Sequence, residues 1–209
     1  MYLPDAFRGD DRALAFELIE AHPFATVITS NEGIPEANHL PLILDRTRGV
    51  LRGHVARANP VWQTLQRGHE ALAVFHGPHA YVSPAFYVPG QVHVPTWNYA
   101  TVHVSGVARV IEDAESLSAL VSELTAHFES SRSAPFVLDM NDPARRRMLS
   151  AIVGFELPLS RVETKLKLSQ NRTADDRAGA MRALAASESH EDRAVAEWMR
   201  RVFRPGAAM

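Results

Sequence analysis

The sequence predicts an α+β fold, mainly β with flanking helices, on three observations. Period-two alternation of apolar and polar residues recurs between about residues 24 and 110. The longest alternating stretch carries only small apolar residues on one face, which suits the tight interior of a small closed barrel. Helical periodicity sits before these stretches and after them.

Taken in order, Asp10 or Asp11 can cap a helix running to about His22, with Leu14, Ala15, Leu18 and Ile19 as its stripe and Pro23 as its stop. Phe24 to Ser30 reads as a strand, Asn31-Glu32-Gly33 as a hairpin turn, and Glu36 to Leu44 as the returning strand. After a polar turn at Asp45 to Gly49, Val50 to Ala56 alternates, with Arg52 and His54 on one face and Leu51, Gly53 and Val55 on the other. Asn59-Pro60 starts a short helix to about Gln66, because Asn accepts from open N–H groups and Pro at the first position loses nothing. Glu70 to His76 is a buried strand, Gly77-Pro78 a turn, and Tyr81 to Ser83 a continuation or a neighbouring strand. Residues 84 to 96, with three prolines, form a long loop.

Trp97 to Val110 is the most regular strand, with Ala100, Val102, Val104, Gly106, Ala108 and Val110 on one side and Tyr99, Thr101, His103 and Ser105 on the other. A helix from Ala114 to Phe128 follows, then a shorter one from about Pro143 to Val153. In the next strand Arg161, Glu163, Lys165, Lys167 and Ser169 share a face, so two lysines point one way. Thr173 to Phe203 reads as a helical tail. No Gly/Ser/Pro-rich linker divides the chain, which predicts one domain over residues 1–185 and a helical extension of the same domain over 186–209.

Composition narrows the function classes. With 46% hydrophobic and 22% charged residues the chain is an ordinary globular one, not collagenous, coiled-coil or disordered. The absence of cysteine removes disulfides, thiolate nucleophiles and Cys-ligated metals. Ten histidines occur without a His-Glu-x-x-His pattern, so no metal is expected. Glycine-rich phosphate loops and the G-x-S-x-G elbow are missing as well. A net charge of −2 gives no drive toward nucleic acid, and neither a leader nor a membrane-length apolar run is present, which predicts a cytoplasmic protein.

Two groups of residues remain. Gly53 to Pro60 runs a strand carrying His54 into Arg57 and then into a helix start at Asn59, a combination of imidazole, guanidinium and helix N–H groups suited to an anion. The alternative is that Arg57 is solvated and Asn59 only caps. Thr96-Trp97-Asn98-Tyr99 sets an indole, an amide and a phenol together, which suits a planar heterocycle or plain packing.

In order along the chain stand Met1-Tyr2-Leu3-Pro4, Pro23-Phe24-Ala25, Asn38-His39-Leu40-Pro41, Gly53 to Pro60, Gly77-Pro78-His79-Ala80-Tyr81-Val82-Ser83-Pro84, Val94-Pro95-Thr96-Trp97-Asn98-Tyr99, Ala151-Ile152-Val153-Gly154 and Lys167-Leu168-Ser169-Gln170-Asn171-Arg172. This series resembles the PaiB-like FMN-binding negative transcriptional regulators. The resemblance implies the FMN-binding split β-barrel shared with pyridoxamine-phosphate oxidases and flavin reductases, in a homodimer with FMN in a groove between subunits. It further implies that His54, Arg57 and Asn59 lie near the phosphate, that Thr96, Trp97 and Asn98 flank the ring system, and that Lys165, Lys167, Ser169 and Gln170 close the site from either subunit. His39 is a further cofactor-binding candidate. No catalytic acid or base is indicated, and the small-molecule redox partner is not identified.

The chain departs from the family pattern at Thr164-Lys165-Leu166, where Gly and an aromatic residue are usual, and at Phe86, where Trp is common. The functional expectation is a flavin-dependent redox protein or a ligand-responsive negative regulator of transcription. The alternatives are a direct DNA-binding repressor, which the net charge and the lack of a helix-turn-helix disfavour, and a non-catalytic ligand sensor or interaction module.

Overall fold

The computed structural model describes residues 1–203, so positions 204–209 of the expected extension lie outside the described residues. In chain order its elements are α1 (Arg12–Ala21), β1 (Phe24–Asn31), β2 (Ile34–Pro41), β3 (Ile43–Asp45), β4 (Val50–Ala56), α2 (Val61–Gln66), β5 (Glu70–Val82), β6 (Thr96–Val107) and β7 (Arg109–Ile111). There follow α3 (Ala114–Glu129), α4 (Pro143–Met148), β8 (Ile152–Pro158), β9 (Arg161–Lys167), α5 (Ala174–Ala185) and α6 (His190–Val202). The chain falls into two units: Met1–His22, Phe75–His103 and the segment from Glu163 form the first, Pro23–Val74 and Val104–Val162 the second.

In the second unit β1 pairs antiparallel with β2 on one side and with β5 on the other. The hairpin turn is where the sequence puts it: Glu32 and Gly33 both have positive φ, 52° and 82°, the backbone that tight hairpins demand. The expected return strand to Leu44 is in fact two strands. β2 stops at Pro41, and β3 belongs to a four-stranded sheet of order β3-β4-β8-β7. The fully buried Leu42 marks the break, its amide bonding the Pro23 carbonyl at 2.9 Å. Leu42 also explains Gly53, since a Cβ there would stand 2.5 Å from the leucine Cδ2.

β8 corrects a second expectation. The helix read through Val153 ends at Met148, and after a 3-10 turn the β-branched Ile152 and Val153 start a strand paired with β4 from Ala56↔Ile152 to Val50↔Pro158. On the other side β8 pairs with β7, which the sequence had joined to the preceding strand; β6 ends at Val107 and β7 starts at Arg109. The stripe of α3 supplies Leu117, Leu120 and Leu124 to a core shared with Ile43, Ile111 and Leu149. Each such buried leucine contributes roughly 2 kcal/mol of hydrophobic stabilisation.

In the first unit β6 lies between β5 and β9. Gly77-Pro78, expected as a turn, runs inside β5, because the bare Cα of Gly77 admits the Ala100 carbonyl, which would stand 2.9 Å from an added Cβ. The helical tail is two helices: Thr173 caps α5 through the Asp176 amide, and Ser189 caps α6 through the Asp192 amide. Leu18, Ile19, Leu168, Leu184, Val195 and Met199 are buried in this unit.

Candidate functional site

Each unit holds part of the expected site. In the second unit β4 delivers His54 opposite Gly154 and then turns into Arg57. The Arg57 amide donates to the Ala151 carbonyl at 2.8 Å, and the Trp62 indole N–H donates to the Arg57 carbonyl at 2.9 Å, which together fix the turn. The guanidinium donates through Nε to Ser150 O at 2.9 Å, through Nη1 to Glu112 Oε2 at 2.8 Å and through Nη2 to Ile152 O at 3.3 Å. These bonds engage three of its five N–H groups. The indole of Trp62 lies against it, 5.7 Å from centroid to guanidinium carbon.

Asn59 has less to offer a ligand. Its Oδ1 accepts from the Val61 amide at 3.0 Å and its Nδ2 donates to Asn38 Oδ1 at 2.7 Å. The helix it precedes has six residues, too short for a sizeable dipole. His54 is half-buried, and the burial lowers its pKa, so the ring is neutral at neutral pH. His39 is exposed on β2, across the strand pair from Thr26, with the Phe24 ring 6.3 Å away.

In the first unit β6 sends alternate residues to opposite faces, and this separates the expected group. Trp97 is 51% exposed and meets Tyr81 and His79 of β5 at ring distances of 6.2 and 6.1 Å. Lys167 Nζ donates to the Thr96 hydroxyl and, at 2.8 Å, to the Trp97 carbonyl. Lys165 Nζ donates to Tyr2 O at 2.9 Å. Asn98 is 1% exposed: its Nδ2 donates to Ser169 Oγ at 2.9 Å and lies 3.6 Å from Met199 Sδ of α6. The structure therefore does not bring Asn98 and Ser169 onto the face that carries Trp97.

Ser169 and Gln170 hold the turn after β9 instead. Ser169 has φ 70°, a conformation that costs a non-glycine residue about 1 kcal/mol. The Asn98 contact and the Gln170 side chain offset that strain. Gln170 Oε1 accepts from the Leu168 amide at 2.7 Å while its Nε2 donates to the Leu166 carbonyl. Burial first, and then the charges of Lys165 and Arg172, lower the pKa of Lys167. Tyr2 and His79 are neighbours of this group that residue-by-residue reasoning missed; for His79 the alternation His79-Ala80-Tyr81 in a strand was the available signal.

The fold defines a class. The chain has the flavin-binding split-barrel fold, shared with the FAD and heme binding protein from Mycobacterium smegmatis at 20% identity and TM-score 0.63, covering 83% of this chain and 79% of that one. The flavocytochrome Anf3 from Azotobacter vinelandii aligns with a TM-score of 0.61 at 14% identity, over 90% of this chain and 75% of its own. The family follows from the sequence: residues 1–161 match the family described as "Putative FMN-binding domain", and the chain belongs to that family. It is 34% identical over 205 residues to the "Protease synthase and sporulation protein PAI 2" of Bacillus subtilis (strain 168), covering 95% of this chain and 96% of the relative. Among the described residues no helix is long and apolar enough to cross a membrane, and no group of three metal-ligating side chains converges.

Proposed function

We propose that this chain binds FMN as a homodimer in the cytoplasm, in a groove between subunits, and works as a flavin-dependent redox protein whose flavin state can serve transcriptional regulation. The observation that carries this reading is the family match over residues 1–161. Residues 1–185 supply the FMN-binding domain in this reading and 186–209 extend it.

The side chains present fit FMN. A phosphate needs cationic and N–H donors, and Arg57 keeps two N–H groups beyond its three protein bonds while the neutral His54 ring adds a hydrogen-bonding nitrogen. Asn59 orients the turn that aims Arg57. A flavin ring needs a flat apolar wall, which the exposed indole of Trp97 offers, and Thr96 holds Lys167 beside it. Asn98, Ser169 and Gln170 act as positioning residues for Lys167, and Lys165 adds charge next to it. His39 sits on an edge strand, where a second subunit can approach it. Bound FMN would supply electron transfer; the protein's part is to hold, orient and charge-balance it.

Titration of purified, dialysed protein with FMN and with riboflavin, alongside sedimentation, tests this reading. One tightly bound FMN per chain in a dimeric species, with riboflavin weaker, is expected; binding of neither flavin overturns it. A second reading, direct contact with DNA, has one observation in its favour: α4 places Arg145, Arg146 and Arg147 in succession, the last two exposed. Salt-dependent retardation of DNA that disappears when these arginines are replaced would select it.

A further inference from the structure

The chain contains twenty arginines and two lysines, and both lysines stand on β9, two residues apart on one face. The hydrogen bonds of both ammoniums go to uncharged oxygens. The acid on that row, Glu163, binds the N-terminal ammonium at 2.9 Å, and Glu191 faces His79 Nδ1 at 3.9 Å. Lys165 and Lys167 hold carbonyl and hydroxyl oxygens instead, one on Lys165 and two on Lys167, out of three N–H groups each.

Aromatic rings surround this double charge. Tyr99 lies near both ammoniums, its centroid 5.6 Å from Lys165 Nζ and 6.0 Å from Lys167 Nζ, and Tyr2 stands 5.4 Å from Lys165 Nζ. Trp97 and Tyr81, about half exposed, continue the surface across β6 and β5. Rings beside two cations that hold neutral oxygens favour a ligand with a flat apolar body and a negative end. The lowered pKa of Lys167 agrees with this, because burial and then neighbouring positive charge disfavour its charged form, which an anion in contact would favour.

We propose that the part of this face formed by Lys165, Lys167, Tyr99 and Tyr81 binds an anionic planar molecule other than the cofactor, the small-molecule partner of the flavin, beside the Trp97 indole that the FMN reading gives to the flavin ring. The inference rests on the FMN reading above. FMN carries a single phosphate, which that reading gives to Arg57 and His54, so the phosphate does not occupy the lysine face.

Two lysines make the test direct, because protein labelled with 13C at lysine Cε shows only two side-chain signals. FMN-loaded full-length protein is titrated with benzoate and with its neutral isostere benzamide. Saturable shifts of both signals, an upward move of the Lys167 titration, and affinity for benzoate about tenfold or more above benzamide are expected. Equal responses to both probes, or none, overturn the proposal. FMN itself shifting both signals and abolishing the benzoate response also overturns it, by giving the lysines to the cofactor and leaving the FMN reading intact. If no flavin is retained the FMN reading fails, and the same titration on the flavin-free chain still reports whether the lysine face selects an anion. Lys167→Gln should lose the benzoate preference while far-UV circular dichroism stays that of the parent protein.

Discussion

Replacing Arg57 by Met separates what the guanidinium does for the fold from what it does for a ligand. In the folded chain it holds two carbonyls, at 2.9 and 3.3 Å, and the Glu112 carboxylate at 2.8 Å. Both members of that ion pair are more than a third exposed, so water screens it to about 0–1 kcal/mol. With the two carbonyl bonds the total cost to stability comes to about 1–4 kcal/mol, and the methionine keeps part of the packing on Trp62. A charge-assisted bond to a phosphate is worth about 1.5–3 kcal/mol, so FMN affinity should fall roughly 10- to 150-fold. Riboflavin, which lacks the phosphate, should bind as before. Fluorescence titration of both flavins, with urea unfolding of the same samples, measures each quantity. Glu112→Gln, which removes the competing carboxylate, should tighten FMN severalfold. An unchanged FMN affinity in Arg57→Met, or an equal loss for riboflavin, would refute the phosphate role.

Three further outcomes follow from the packing and titration of particular groups. Gly179→Ala should destabilise by about 2–4 kcal/mol in urea unfolding despite alanine's better helix propensity, because the new Cβ would lie 2.1 Å from the Phe86 carbonyl oxygen. Glu156→Gln should cost about 2–3 kcal/mol, since Glu156 joins Arg52, Arg109 and Arg48 at 3.2, 2.7 and 3.4 Å and leaves the buried Arg52 with Glu123 alone; Arg109→Gln, at the exposed end, should cost under about 1 kcal/mol. His54 should titrate below the ordinary histidine value of about 6.5 in an NMR pH series. Because the folded state prefers the neutral ring, its contribution to stability is complete above about pH 6.5 and is lost as the pH falls through the lower folded value. A His54 midpoint at or above 6.5 contradicts the burial argument.

Local chemistry made much of the fold legible. β4 matches its expected limits, α3 differs by one residue, and Glu32-Gly33 turns where the polar pair said it would. Failures occurred where tertiary context outweighs local signals. Ile152 to Pro158 is a short apolar run, which periodicity alone cannot assign to helix or strand; pairing with β4 and β7 decides it. Gly77-Pro78 carries turn residues but lies in a strand because Gly77 packs against Ala100. The gap between α5 and α6 was signalled by Ser189, whose hydroxyl caps α6, within a polar run that also reads as continuous helix.

The candidate site was legible in residue type and less so in orientation. Alternation along β6 put Asn98 and Trp97 on opposite faces, but only the structure shows Met199 of α6 covering the Asn98 side. Likewise the partner of Arg57 is 55 residues away at Glu112, and that of Glu163 is the chain's own N-terminus, 162 residues distant. Such pairs decide which charges stay available to a ligand, and no local pattern encodes them.

The most direct measurement is the visible spectrum of the protein after saturation with FMN and gel filtration. A flavin band eluting with the protein at one FMN per chain is the predicted result. A colourless protein peak, with all the flavin in the small-molecule fractions, would contradict it.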